Sequence, residues 1–126
     1  MFRRYNANPD KNRVGDCTVR AISKLLDQSW MKTYWEICLQ GAISYDMPSS
    51  DAVWGAYLWK HGYRCQAMPN LCPECYTVKE FCREHQEGKY LLATGGHVVA
   101  VVDGDYYDTW DSGDEVPIYC WRKDEQ

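Results

Sequence analysis

Gly95-Gly96-His97-Val98-Val99-Ala100-Val101-Val102 runs into Asp103-Gly104 and leaves through Asp105-Tyr106-Tyr107-Asp108-Thr109-Trp110-Asp111. The first arm is a β-branched run. Asp-Gly between two such arms predicts a β-hairpin, because a type I′ turn needs φ > 0 at both central residues. A two-residue turn sets Val102 opposite Asp105 and His97 opposite Trp110. Side chains alternate faces along a strand, and directly opposed residues share a face. His97, Val99, Val101, Tyr106, Asp108 and Trp110 then lie together, with Asp108 diagonal to His97. A three-residue loop over 103–105 would shift the register and bring Asp111 to His97 instead. Asp-Gly favours the shorter loop, so Asp108 is the expected acid and Asp111 the alternative.

An imidazole beside a carboxylate and an indole is oriented for work on a nucleophile. Far upstream, Gly15-Asp16-Cys17-Thr18-Val19-Arg20-Ala21-Ile22 supplies a thiol where a helix is expected to begin. A helix N-terminus presents unpaired N–H groups and the positive end of the dipole, and both favour thiolate. The same N–H groups can donate to an oxyanion. Asp16 opposes this with an adjacent negative charge unless it is engaged as the N-cap. Taken alone, Cys17 reads as a buried structural cysteine, which is what most free cysteines are. Combined with the hairpin, the expected constellation is Cys17 as nucleophile, His97 as base and Asp108 as its orienting acid. His85 falls on an apolar helix face. His61 falls at a helix C-terminus, where its cation would complement the dipole.

Working outward, residues 1–16 carry Asn6, Asn8, Pro9, Asn12 and Gly15 and read as loop. Ala21, Ile22, Leu25 and Leu26 recur at helical spacing after Asp16. Ser29 can cap a second helix, with Met31, Tyr34, Trp35, Cys38 and Ala42 as its apolar stripe and Gly41 near its end. Val53, Trp54, Tyr57 and Leu58 mark a third, closed by Gly62 in the left-handed position. Tyr63 to Met68 reads as extended. Thr77-Val78-Lys79-Glu80 is a capping box opening a fourth helix, with Val78, Phe81, Cys82 and His85 on one face. Strands over 89–94, 97–102, 105–111 and 116–122 complete the chain. The expected fold is α+β: one domain over residues 1–126, N-terminal helices packed on a C-terminal antiparallel β-sheet.

Composition narrows the function. At 126 residues the chain suits one modest core. Its net charge of −4 argues against a nucleic-acid partner, which needs a basic stripe. Arg3, Arg4, Lys11 and Arg13 cluster near the start, and such a group usually forms a solvated surface. No apolar run approaches the ~20 residues that span a bilayer, so no membrane partner is expected. The N-terminus lacks the apolar segment of a signal peptide. A cytoplasmic location follows, and the odd count of seven cysteines then favours free thiols. Aromatic content of 14% is high enough to line a cleft as well as a core.

A cysteine opening an N-terminal helix, then a histidine on a strand, then Asn or Asp on the next, is the chain order of papain-like cysteine peptidases. Asp108-Thr109-Trp110 resembles the Asn-Ser-Trp of that superfamily, whose tryptophan shields the acid–imidazole contact. Asp16-Cys17 through Arg20-Ala21-Ile22, with Tyr107-Asp108-Thr109-Trp110-Asp111, is similar to small bacterial and phage-associated proteins of this kind. The size is similar to that of bacteriocin-processing peptidase domains. The resemblance covers nearly the whole chain in element order and rests on these two short motifs. It implies a papain-like fold and a thiol hydrolase acting on a peptide or amide substrate through an acyl-enzyme, with no cofactor. It also implies a glutamine six residues before the cysteine as oxyanion donor, where this chain has Lys11. Asn12 is the candidate amide in its place, or Asn8 if the loop bends.

Rival readings remain at this level. Cys72-Pro73-Glu74-Cys75 is half a zinc site, which Cys65, Cys82 or His85 would have to complete. Arg20 could pair with Asp16 or hold substrate. An amine replacing water would make the site an acyltransferase or transglutaminase. A decayed triad would leave a papain-fold binding module. Substrate identity and oligomeric state are not encoded in any recognisable motif.

Overall fold

The structure is a computed structural model of the chain, and it describes residues 1–11, 14–68 and 76–123. The expected hairpin is present. Asp103 (φ 50°) and Gly104 (φ 83°) both take positive φ between β4 (Val98–Val102) and β5 (Asp105–Asp108). Val102 pairs with Asp105, Val101 with Tyr106 and Ala100 with Tyr107, the register of a two-residue turn. β3 (Lys89–Ala93) pairs antiparallel on the other side of β4. β6 (Tyr119–Lys123) and then β2 (Tyr63–Ala67) extend the sheet, also antiparallel.

The sheet is not wholly antiparallel. Phe2–Arg4, expected as loop, forms β1 and pairs parallel with β5, matching Arg4 to Asp108. The strand order is β1-β5-β4-β3-β6-β2, so this is a mixed six-stranded sheet. Three residues at a sheet edge are too few for an alternation pattern to show in the sequence. The overall class is α+β, with four helices.

The helices α1 (Cys17–Leu26), α2 (Trp30–Ser44) and α3 (Asp51–Lys60) gather on one side of the sheet, and α4 (Val78–Glu84) on the other. On the first side, Ile22, Leu25, Val53 and Leu58 pack with Leu91, Val98 and Ala100. On the second, Val78, Phe81 and Cys82 pack with Leu92, Val99, Val101, Tyr106 and Cys120. Strand alternation explains the division, since 91 and 92, or 100 and 101, face opposite ways. Each fully buried aliphatic side chain contributes roughly 1.5–3 kcal/mol by leaving water. Gly55 allows α3 to close on the sheet: a Cβ there would stand 3.0 Å from the Trp121 ring.

Two helix readings change. Ser29 caps α2 through the Lys32 N–H as expected, but the apolar stripe of that helix faces outward. Met31 and Trp35 are exposed, while Thr33, Ile37, Gln40 and Gly41 are buried. Thr33 is accommodated because its hydroxyl bonds to Ser23 of α1 and to the Ser29 carbonyl. Asp16 does not cap α1 with its side chain, because other donors have taken its carboxylate. The capping residue of α4 is as expected, with Thr77 accepting from the Glu80 N–H at 3.3 Å. Gly62 takes a φ of 87° beyond α3.

Candidate active site

Three elements converge at one end of the sheet. α1 begins with Cys17, and its N–H has no intrahelical acceptor because it lies in the first turn. His97 stands immediately before β4, with its carbonyl accepting from the Thr94 N–H and hydroxyl. Asp108 is the last residue of β5. The β4–β5 register stops at Ala100 and Tyr107, so His97 and Asp108 meet beyond the last paired rung. Asp108 stays paired with Arg4 of β1 along its other edge, whereas His97 stands ahead of β4.

His97 Nε2 lies 2.5 Å from Asp108 Oδ2. With Nε2–H donating to that carboxylate, Nδ1 is the nitrogen left for the sulfur. Cys17 hydrogen-bonds to the His97 side chain and accepts from the Val98 N–H. The Trp110 ring, tilted by 39°, sits with its centroid 5.0 Å from that of His97 and covers part of the contact. Cys17, His97 and Asp108 are therefore in one connected chain of hydrogen bonds. Asp111, the alternative acid, is elsewhere: it is exposed and accepts from the Tyr106 hydroxyl and the Gly113 N–H.

The acid is held from several sides. Asp108 is 3% exposed and also accepts from the Ser112 hydroxyl at 2.8 Å and the Thr109 N–H at 2.8 Å. Arg20 Nη2 approaches its other oxygen at 3.7 Å. Arg20 also forms a buried ion pair with Asp16, whose second oxygen accepts from Trp30 Nε1 at 2.9 Å. The negative charge that counted against Cys17 is thereby paired with Arg20. Among the described residues, no buried side-chain polar atom lacks a hydrogen-bond partner. Buried charges need this completeness, because removing one partner strands the others.

Electrostatics follow from the contacts. Burial alone would raise the Cys17 thiol, but the His97 hydrogen bond, the Val98 N–H and the His97 and Arg20 charges together lower it. Burial alone would also discharge His97, yet its bonds to Asp108 and Cys17 push it up to about 9. Both shifts favour a thiolate–imidazolium pair near neutral pH.

The pair opens into a cavity of about 820 Å³ whose lining includes Arg4, Asn6, Lys11, Cys17, His97 and Trp110. A second depression of about 220 Å³ is also lined by Cys17 and His97, together with Asp51, Thr94, Gly95 and Gly96. Asn12 and the Cys72–Cys75 pair lie outside the described residues. Asn8, the other amide considered for the oxyanion, is buried, with its Oδ1 accepting from the Asp10 N–H, and is not in the cavity wall. Lys11, considered above for its place six residues before Cys17, donates to the Asn6 carbonyl at 2.7 Å. Ser112 and Trp30 were not singled out from the sequence. The first follows Asp108 by four residues but carries no motif, and the second contributes through a contact between helices.

No family model, curated protein or solved structure compared with the chain matched it.

Proposed function

We propose that this protein is a papain-like thiol hydrolase that cleaves a peptide or amide through an acyl-enzyme, with Cys17, His97 and Asp108 as its triad. The observation that carries the reading is the position of His97, between the Cys17 sulfur and the Asp108 carboxylate, in the wall of an open cavity. The adjacency of the three residues supports the roles that the resemblance implies.

The chemistry runs in two halves. The Cys17 thiolate attacks the carbonyl carbon. A C–S bond forms, and the carbonyl π electrons move onto oxygen. The Cys17 N–H, at the positive end of α1, donates to that oxyanion. The oxyanion collapses, the C–N bond breaks, and His97 gives its Nδ1 proton to the departing amine. A thioester and a neutral imidazole remain. His97 then takes a proton from water as the water oxygen attacks the thioester carbon. The C–S bond breaks, the acid leaves, and the thiolate–imidazolium pair is restored. Asp108 holds the ring in the tautomer that points Nδ1 at the sulfur and stabilises the cation. An amine in place of water would complete the same cycle as acyl transfer.

A non-catalytic binding module is the second reading, and Lys11 at the expected glutamine position favours it. The two separate with p-nitrophenyl acetate as acyl donor. The hydrolase reading predicts a burst of nitrophenolate, a single acetyl group on Cys17 by mass spectrometry, and steady turnover that Cys17→Ala abolishes. Acetylation spread over several cysteines, with no turnover above that of Cys17→Ala, would leave the binding module.

A further inference from the structure

The cavity in front of Cys17 has a charge of its own. Arg4 and Lys11 both line it. Arg4 Nη1 donates to the Thr109 carbonyl at 2.7 Å, and Lys11 Nζ to the Asn6 carbonyl at 2.7 Å. Both cations are held by neutral carbonyls, and neither has a carboxylate partner among the described residues. Several cations elsewhere have carboxylate partners: Arg3 pairs with Asp105, Lys79 with Asp114, and Lys89 with Asp27. Arg64 and Lys123 are also held by carbonyls, but neither lines this cavity. Arg20, the third cation in the cavity wall, is already matched by Asp16 and Asp108.

The fold fixes both positions. Parallel pairing of β1 with β5 places Arg4 in register with Asp108, at the mouth of the site. Lys11 adopts a φ of 57°, with its N–H on the Asn8 carbonyl at 3.0 Å. A left-handed non-glycine residue is conformationally costly, and here it sits in the wall of a reactive cleft. The second depression, which shares Cys17 and His97 with the first, has an acid, Asp51, and no lysine or arginine in its lining. The two depressions that share the nucleophile therefore differ in charge, one carrying Arg4 and Lys11 and the other Asp51, in a chain whose net charge is −4.

We propose that the Arg4–Lys11 flank is an anion subsite, and that the substrate is an acidic peptide or amide with a carboxylate on that side of the scissile bond. This assignment rests on the thiol-hydrolase reading of the same cleft. A carboxylate entering there replaces carbonyl contacts with charge-assisted hydrogen bonds, and Arg4 can meet it with two parallel N–H donors.

Iodoacetate and iodoacetamide test this without a known substrate. They have the same size and the same chemistry: the Cys17 sulfur forms a bond to the methylene carbon and iodide leaves. Only the first carries a carboxylate. The quantity read is the ratio of their rates at Cys17, at neutral pH and low salt, by mass spectrometry. The wild-type ratio is expected to exceed one. The Arg4→Gln, Lys11→Gln double variant should lower it about tenfold, each single variant about threefold, and high salt should erode it in the wild type. Arg3→Gln removes the same charge outside the cavity and should keep the wild-type ratio. The proposal is overturned if the double variant keeps that ratio, or if Arg3→Gln lowers it as much. Slow alkylation by iodoacetamide itself would count against the thiol-hydrolase reading, while the ratio would still report the charge of the cleft, so the two failures are distinct.

Discussion

The two sides of the sheet hold cysteines in opposite states. On the α4 side, Cys82 and Cys120 are buried among apolar neighbours, and burial pushes their thiols up to about 11 and about 12. On the α1 side, Cys17 is also penalised by burial, and that is the largest single influence on it. Its thiol is nevertheless lowered, because an imidazole, a backbone N–H and a guanidinium surround the sulfur. Placement in a core makes a thiol inert. Polar partners that survive burial together make it a nucleophile.

Alkylation is the sharpest way to break that contrast. At neutral pH a thiol near 11 is about 0.01% thiolate, so iodoacetamide should modify Cys17 at least a thousandfold faster than Cys82 in folded protein. Site-resolved mass spectrometry over a time course reads the ratio. Comparable rates for the two would erase the distinction.

Removing the partner comes next in size. His97→Ala should raise the Cys17 thiol, because the imidazole that lowers it is lost while burial remains, and slow its alkylation at neutral pH by roughly tenfold or more. Asp108→Asn should act on one limb of the pH profile. His97 is pushed up to about 9 while Asp108 holds it, so the ion pair persists until pH rises through that value. Without the carboxylate the imidazolium gives up its proton at lower pH. The upper limb of acyl transfer to p-nitrophenyl acetate should move downward, with roughly a tenfold loss of rate at mildly alkaline pH.

The smallest effect sharpens the choice of acid. Ser112→Ala removes one hydrogen bond from buried Asp108 and should cost about 1–2 kcal/mol in denaturant unfolding, with a few-fold loss of Cys17 reactivity. Asp111→Asn should leave that reactivity at the wild-type level, since this carboxylate faces Tyr106 and Gly113.

The hairpin was readable because Asp103-Gly104 has one strongly favoured geometry, and its register delivered His97 to Asp108 rather than to Asp111. The approach of Cys17 to that hairpin came from element order and resemblance, which local pattern could not supply. Other features depended on tertiary partners. The stripe through Met31 and Trp35 looked like the buried face of α2, but the interior side was decided by Thr33, whose hydroxyl finds Ser23. Asp16 has the composition of an N-cap, yet Arg20 and the Trp30 indole compete more strongly for its carboxylate. Arg4 and Lys11 read as solvated surface because a three-residue edge strand leaves no trace in the sequence. Only its pairing with β5 turns that segment toward the site.

The central claim is that Cys17 and His97 form an ion pair, and thiolate absorbance in the ultraviolet measures it directly. The titration of Cys17→Ser is subtracted from that of the wild type, leaving the signal of this one sulfur. The account predicts that thiolate appears well below the ordinary cysteine range, and that His97→Ala moves the transition upward. A Cys17 signal that titrates in the ordinary range, unmoved by His97→Ala, would contradict the account.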